Sequence, residues 1–348
     1  MQTGIVNLPL HDGKAPKWLY KRMVSLLIPF SKLLYEEVGE EGFLNKLADP
    51  FWFQSLGCLV GYDWHSSGLT TVLTSALKDA LAKTDVPIKI AGGKGKTAIN
   101  TPNEINQVKW DVDKEKLIYV SRMIAKVDTA LVQTNYQLYH HTIAFSKDGK
   151  WAIIQQGMNT QNKYARRTHF IYSKNLTLEP YAGLEGIPEE NVLNMTSKDS
   201  LNAQKIFVEI FNNKNQLKHD IAQLSFPRHH LITINDIKNE SLRELLEINE
   251  TVSNFEELAA LRGIGRKAIR ALALISELIY GERPSYEDPV KFSFAHGGKD
   301  GTPYKINKKD YDEDISLLNK IADKSLGEEK IRAFRRLSYF LSHVKTIE

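Results

Sequence analysis

Cysteine is nearly missing from this chain of 348 residues, with Cys58 the single example. One thiol excludes a disulfide framework and a cysteine-rich zinc site, and it suits a reducing cytosol. Long apolar runs are missing as well. The longest candidate, Met23 to Leu34, is broken by Pro29 and Lys32, so no membrane span is expected. No basic-then-apolar leader opens the chain, and the expected location is cytoplasmic. There is no low-complexity tract and no internal repeat. A strong excess of one charge is also lacking, since 46 basic residues face 42 acidic ones for a net charge of +4. That balance is compatible with nucleic acid without demanding it, and local clusters must decide.

What is present is enough apolar residue, 42%, for a packed core, and enough length for two or three domains. The chain is organised around Asn254 to Gly281, NFEELAALRGIGRKAIRALALISELIYG. Leu258, Ala259 and Leu261 close one apolar face. Gly263-Ile264-Gly265 reads as a turn, because glycine tolerates positive φ. Ala268, Leu272, Ile275 and Ile279 then recur with the one-face spacing of a helix. Backbone N–H groups at the start of that second helix form an anion site. Arg262, Arg266, Lys267 and Arg270 surround it without an intervening acid. The stretch resembles the helix-hairpin-helix motif through Leu261, Gly263, Ile264, Gly265, Lys267 and Ala268. The resemblance implies a grip on one DNA strand through its phosphates, salt-sensitive and tolerant of sequence. Gly263, Ile264, Gly265, Arg266 and Lys267 are the expected DNA-binding residues. The bland alternative is an ordinary pair of helices with a solvated basic face.

Upstream, helical patterning runs from Trp18 through Glu37 and from Glu41 to Ala48, and Pro50 is expected to end it. Leu56 to Tyr62, LGCLVGY, reads as a buried strand and ends in Asp63-Trp64-His65-Ser66-Ser67-Gly68. A helix follows from Leu69 to Lys83, then a strand from Val86 to Ala91 leading into Gly92-Gly93-Lys94-Gly95-Lys96-Thr97. Strand, helix, strand suggests a βαβ-type unit with ligands at the carboxyl ends of strands. The glycine-rich turn is not a P-loop, because Ile90 stands where the first glycine is required. It remains a phosphate cradle with two lysines. Leu117 to Ser121 is expected as a short strand and Arg122 to Gln133 as a helix. Tyr136 to Phe145 and Lys150 to Gln156 form a hairpin across Ser146-Lys147-Asp148-Gly149, where Asp-Gly is a strong turn signal. Tyr164 to His169 is basic. Ile187 to Asn249 looks helical, as does Tyr311 to Val344, and a second glycine-lysine loop spans Phe292 to Tyr304.

The expected fold is therefore an α/β or α+β core with a central mixed sheet. A mostly helical C-terminal region follows and contains the helix-hairpin-helix. The expected divisions are an N-terminal helical segment (1–54), an α/β candidate catalytic domain (55–185), a helical domain with the hairpin (186–283), and a C-terminal loop with helices (284–348).

Several strings resemble one family over nearly the whole chain: NLPLHDGKAPKWL, DPFWFQSLGCLVGYDWHSSG, AGGKGKT, SRMIAKVD, YQLYHHTIAF, QQGMN, YARR and FAHGGKDGTPY. It is the prokaryotic family called domain of unknown function 763, and it implies no mechanism. A more distant resemblance is to phospholipase-D-type nucleases. It rests on the order of elements from Gly61 to Ala91, on His140-His141, and on Gln156-Gly157-Met158-Asn159. It implies histidine attack on phosphorus without a metal, in a homodimer sharing one site. The chain departs from that family at Thr142 and Ile143, where its lysine would follow the histidine by two residues.

The candidate catalytic residues are Asp63, His65, Lys126, His140, His141, Gln156 and Asn159. The candidate phosphate-binding residues are Lys94, Lys96, Arg122, Arg166 and Arg167. Adjacent His140 and His141 on a strand point to opposite faces, so at most one serves a shared site. A metal held by His65, His140, His141 or His169 with Asp63 or Asp128 is a rival reading. No HxxxH spacing supports it, and no cofactor is otherwise indicated. Ser66 and Ser67 lack a nucleophile elbow. The favoured function is a DNA repair or processing enzyme of the nuclease type. A non-catalytic DNA-binding protein and a DNA glycosylase are the alternatives. An enzyme predicts that the polar strand-end residues converge in one cleft; a binding module predicts a basic surface without one.

Overall fold

A computed structural model describes residues 2–4, 8–10, 15–61, 66–223 and 245–290. Its centre is a sheet built from β3 (Ile88–Lys94), β5 (Gln137–Ser146), β6 (Trp151–Asn159), β7 (Tyr164–Ile171) and β8 (Tyr181–Glu185). These five run antiparallel in the order β8-β7-β6-β5-β3. Short β1 (Gln2–Gly4) adds to β8 in parallel, and β2 (Leu8–Pro9) pairs with β7. A separate two-stranded pairing joins β4 (Val132–Gln133) to β9 (Leu193–Asn194). The β5–β6 hairpin turns where Asp148-Gly149 was expected to turn it.

Helices cover both faces, and each face has its own apolar cluster. On one side lie α1 (Lys17–Ala48), α2 (Pro50–Leu59) and α3 (Gly68–Leu81). Leu27, Phe30, Leu47, Phe53 and Leu73 pack there with Ile88, Ala144, Ala152 and Ile154 of the sheet. On the other side lie α6 (Lys114–Lys126), α7 (Leu201–Asn212), α9 (Phe255–Ala260) and α10 (Arg266–Tyr280). Leu117, Ile124, Phe207, Leu258 and Ile269 share that cluster with Ile143, Phe145, Ile153 and Phe170. Alternation along each strand sends successive side chains to the two clusters. The remaining helices are α4 (Lys96–Ile99), α5 (Thr101–Asn106) and α8 (Lys214–Gln223).

Two expected strands are helices. Leu56 to Leu59 belongs to α2, and Val60 and Gly61 form the turn after it, so no βαβ unit opens the domain. Pro50 starts this helix rather than ending the previous one. Asp49 accepts from the backbone N–H of Phe51 (2.9 Å) and Trp52 (3.1 Å), and proline suits the first helical turn because its missing N–H is not needed there. Leu56, Leu59 and Val60 are apolar because α2 is buried, which periodicity alone cannot separate from a buried strand. Likewise Leu117 to Ser121 lies inside α6, capped by Asp113 accepting from Lys116 N–H at 2.9 Å. Leu117, Val120, Ser121 and Ile124 are all buried, at helical spacing on one face. The boundary expected at 54/55 falls within α2, and the helices after residue 186 share a core with the sheet. Residues 292–304 and 311–344 lie outside the described residues. No helix of the described residues is long and apolar enough to cross a membrane.

Candidate functional site

A polar band crosses the middle of this apolar sheet. In register, Lys94 pairs with His140, His140 with Gln156, Gln156 with Arg167, and Arg167 with Glu185. One residue over, Gly93, His141, Gln155, Thr168 and Leu184 form the next row. The two rows face opposite ways, as strand alternation requires.

Apart from Lys94, which is exposed, the first row faces α1–α3 and is sealed. His140 Nε2 meets Thr74 Oγ1 at 3.2 Å. Gln156 accepts from Thr70 and donates to the Ser67 carbonyl (2.8 Å) and to the Tyr139 hydroxyl. Arg167 forms an ion pair with Glu185 and donates to Gln54 Oε1 at 2.8 Å. His169 contacts the Leu47 carbonyl through Nδ1 at 2.9 Å. Arg167, Glu185, His140 and His169 are each fully buried. Burial, with the nearby His141 and Lys94, holds His140 down to about 3. Burial also raises Glu185 to about 7 against the pull of Arg167.

The second row faces α6. His141 Nδ1 donates to Gln155 Oε1 at 2.7 Å, because that amide's nitrogen is already spent on the Ile124 carbonyl and Asp128. Its Nε2 therefore accepts from Ser121 Oγ at 2.8 Å. Asp128 continues the chain, accepting from Gln155 (2.6 Å), Thr168 (2.5 Å) and Tyr181 (2.8 Å). Desolvation raises the Asp128 pKa, and its three hydrogen bonds and Arg166 oppose the rise. Asp128 sits in a π-helical turn, Val127–Leu131, a local irregularity that recurs at functional sites. It lines a narrow cleft with Thr134, Tyr136, Leu138, Gly157, Arg166, Thr168 and Tyr181. The enclosed volume is about 20 Å³, room for a water-sized group and not for a nucleobase. Arg166 donates to the Ile187 carbonyl (2.8 Å) and pairs with Asp288 (2.6 Å), with its guanidinium 4.6 Å from the Tyr136 ring centre. Its Nε and Nη1 are buried without an acceptor.

The third polar place is the turn between α9 and α10. Asn254 caps α9 by accepting from Glu257 N–H (2.9 Å), and Glu257 accepts from the N–H of Ser253 just before the cap (2.7 Å). Gly263 has φ 91° and is exposed, as are Arg262 and Lys267, while Ile264 is buried. The N–H of Gly265 is taken by the Gly263 carbonyl, so the helix-start N–H groups begin with α10 itself. Its first turn holds no acid. Arg266 and Arg270 turn toward the body instead, to the Thr134 carbonyl (2.8 Å) and Gln133 Oε1 (2.5 Å).

The expected site residues thus do not share one cleft. His140 and Gln156 lie on one face of the sheet and His141 on the other. Lys126 points into the hairpin turn. Asn159 organises its own turn, accepting from Gln161 and Asn162 N–H and donating to Glu189. Arg166 and Arg167 are buried in ion pairs, whereas Lys94, Lys96 and Arg122 are exposed. Asp63 and His65 lie outside the described residues. Among the described residues no group of three or more His, Cys, Asp or Glu is placed to hold a metal. Gln155, Thr168 and Tyr181 were missed. A signal was available: two adjacent polar residues recur at 140–141, 155–156 and 167–168 within otherwise apolar strands, which is the trace of a band crossing the sheet.

The family described as Protein of unknown function (DUF763) matches residues 4–306. The chain belongs to this family. Neither a curated protein nor a solved structure matches it. The matched residues include β3 to β8, both helical layers and the α9–α10 turn.

Proposed function

We propose that this protein binds DNA through the sugar–phosphate backbone, using the Gly263–Gly265 turn and the N-terminus of α10 as the docking element. The observation that carries the reading is the division of labour in that turn. Ile264 anchors it in the core, while Gly263, Arg262 and Lys267 stay exposed at a helix start free of acids. A Cβ added at Gly265 would meet nothing within 4 Å, so the backbone there is open to close approach. Helix-start N–H groups with a cation beside them suit a phosphate. Phosphate contacts of this kind position a protein on DNA without reading its sequence.

The test is the double variant Gly265→Val, Lys267→Glu. Gly265 has extended backbone that any residue adopts, so valine is compatible with the fold and blocks the approach. Fluorescence anisotropy with duplex and single-stranded DNA should show weaker binding to every sequence alike. The slope of log affinity against log salt should fall by about 0.9 for each duplex phosphate that the variant no longer neutralises. Unchanged affinity at low salt would remove the hairpin from the interface.

A second reading, a phosphodiester-processing enzyme, has one observation in its favour. The cleft holding Asp128 is lined by Thr134, whose carbonyl accepts from Arg266 at the hairpin. A carboxylate in a π turn beside a DNA-docking element is where such chemistry would sit. Incubating the wild type with nicked, flapped and single-stranded DNA, with and without divalent metal, decides whether there is an activity to assign.

A further inference from the structure

Lys126, the last residue of α6, reaches out of its own helix into the α9–α10 turn. Its ammonium lies 2.5 Å from the Ala259 carbonyl, 2.8 Å from that of Leu261 and 3.2 Å from that of Ile264. No carboxylate pairs with it among the described residues. An ammonium has three protons to donate, and here all three go to backbone oxygens of one turn. The Ala259 oxygen ends α9 and the Leu261 oxygen follows at its C-cap, where the helix presents partial negative charge. Three carbonyls aimed at a single point repel one another unless a cation sits between them. Because each peptide is planar, drawing the carbonyls inward also sets the orientation of the peptide planes that lead into α10.

We propose that Lys126 is a positioning residue that acts as a tethered monovalent cation: it locks the turn in its phosphate-binding shape from behind. This rests on the reading of the turn as a DNA-docking element. Two consequences follow. The wild-type protein binds DNA without preference for the soluble monovalent cation, because it carries its own. Truncating the side chain opens a three-carbonyl nest that accepts a small monovalent cation such as ammonium or potassium.

The experiment uses the full chain as wild type, Lys126→Ala and Lys126→Met, in tetramethylammonium, ammonium or potassium chloride at equal ionic strength. DNA affinity is read by anisotropy, and amide hydrogen exchange is read over 261–268. In tetramethylammonium, too large for the nest, Lys126→Ala should bind roughly tenfold or more weakly than wild type and exchange faster at the turn. Ammonium or potassium should restore both. Lys126→Met, which keeps the aliphatic stem and fills the nest, should stay weak in every salt. A packing role predicts no recovery with any cation, and that result overturns the proposal, as does wild-type behaviour of either variant. Should the wild type bind no DNA at all, the docking reading fails while hydrogen exchange still judges Lys126: protection lost in tetramethylammonium and regained in ammonium upholds the tethered cation, and its absence refutes it.

Discussion

Lowering the pH from 7 to 5 should cost the folded protein about 2 kcal/mol through His141 alone. The imidazole sits between Ser121 and Gln155, donating through Nδ1 and accepting through Nε2. Protonation would force Nε2 to become a donor and remove the acceptor Ser121 needs. Burial is the larger influence and holds the folded pKa down to about 4, with the Gln155 hydrogen bond opposing it. A histidine free in the unfolded chain titrates near 6.5. With the folded value below the unfolded one, the unfolded state takes up its proton first. The stabilisation is intact above about 6.5 and is lost as pH falls toward the folded value. Integrating that difference from pH 7 to 5 gives the figure of about 2 kcal/mol. His140, held at about 3, adds a similar amount. The wild-type profile is therefore a sum, and His141→Gln isolates one part of it. Urea denaturation at pH 7, 6 and 5 should find the variant less stable at pH 7. The gap should close by about 2 kcal/mol at pH 5. Parallel profiles for the two proteins would refute a buried neutral imidazole. They would also reopen His141 as a group that meets solvent and substrate.

Replacing Glu185 by glutamine leaves the fully buried Arg167 without its counter-charge and should destabilise by about 3–5 kcal/mol in the same assay; Arg167→Met with Glu185→Leu should cost much less. A cost below about 1 kcal/mol for the single change would mean that the guanidinium finds other acceptors, Gln54 and Thr70 being the nearest. Asp128→Asn keeps the side chain's shape but turns one acceptor oxygen into a donor facing Gln155, Thr168 or Tyr181, so a stability loss of about 1–3 kcal/mol is expected by calorimetry. If any DNA-processing activity is found, that variant should lose it while retaining DNA affinity; an active Asp128→Asn protein sinks the second reading.

The parts of the fold that were legible in the sequence carried a local signal. Asp148-Gly149 announced the hairpin, and Gly263-Ile264-Gly265 announced the turn before α10. Gly39 marks the break between the two helical stretches merged in α1, as the sequence pattern had divided them. The parts that were not legible depended on what lies across the core. Leu56 to Val60 is apolar on every side because α2 is enclosed between α1, α3 and the sheet, and no period survives to separate helix from strand. Asp49-Pro50 did hold the answer, since a capping aspartate followed by proline opens a helix as readily as proline closes one. The same reversal removes the strand on which the likeness to phospholipase-D-type nucleases relied. The alternation that sends His140 and His141 apart was legible; their burial was not, because it comes from Thr74 on one helix and Ser121 on another.

That burial changes what the histidines can do. A strand-borne histidine suggests chemistry when its neighbours in sequence are polar, and here they are. The register shows where that polarity goes: each buried polar side chain in the band meets another across the strands, a hydroxyl from a covering helix or, for Thr168, the Asp128 carboxylate. The band therefore ties both helical layers to the sheet through directional bonds, which an apolar core of the same volume would not supply. One layer also reaches the α9–α10 turn. The segment from Lys126 to Thr134 leaves α6, passes through the π turn with Asp128, and touches the hairpin at each step, through Lys126, Gln133 and Thr134. His141 reaches the same helix through Ser121. A charge or shape change in the band thus has a short covalent and hydrogen-bonded route to the α9–α10 turn, which is held by the body as well as by its own backbone hydrogen bonds.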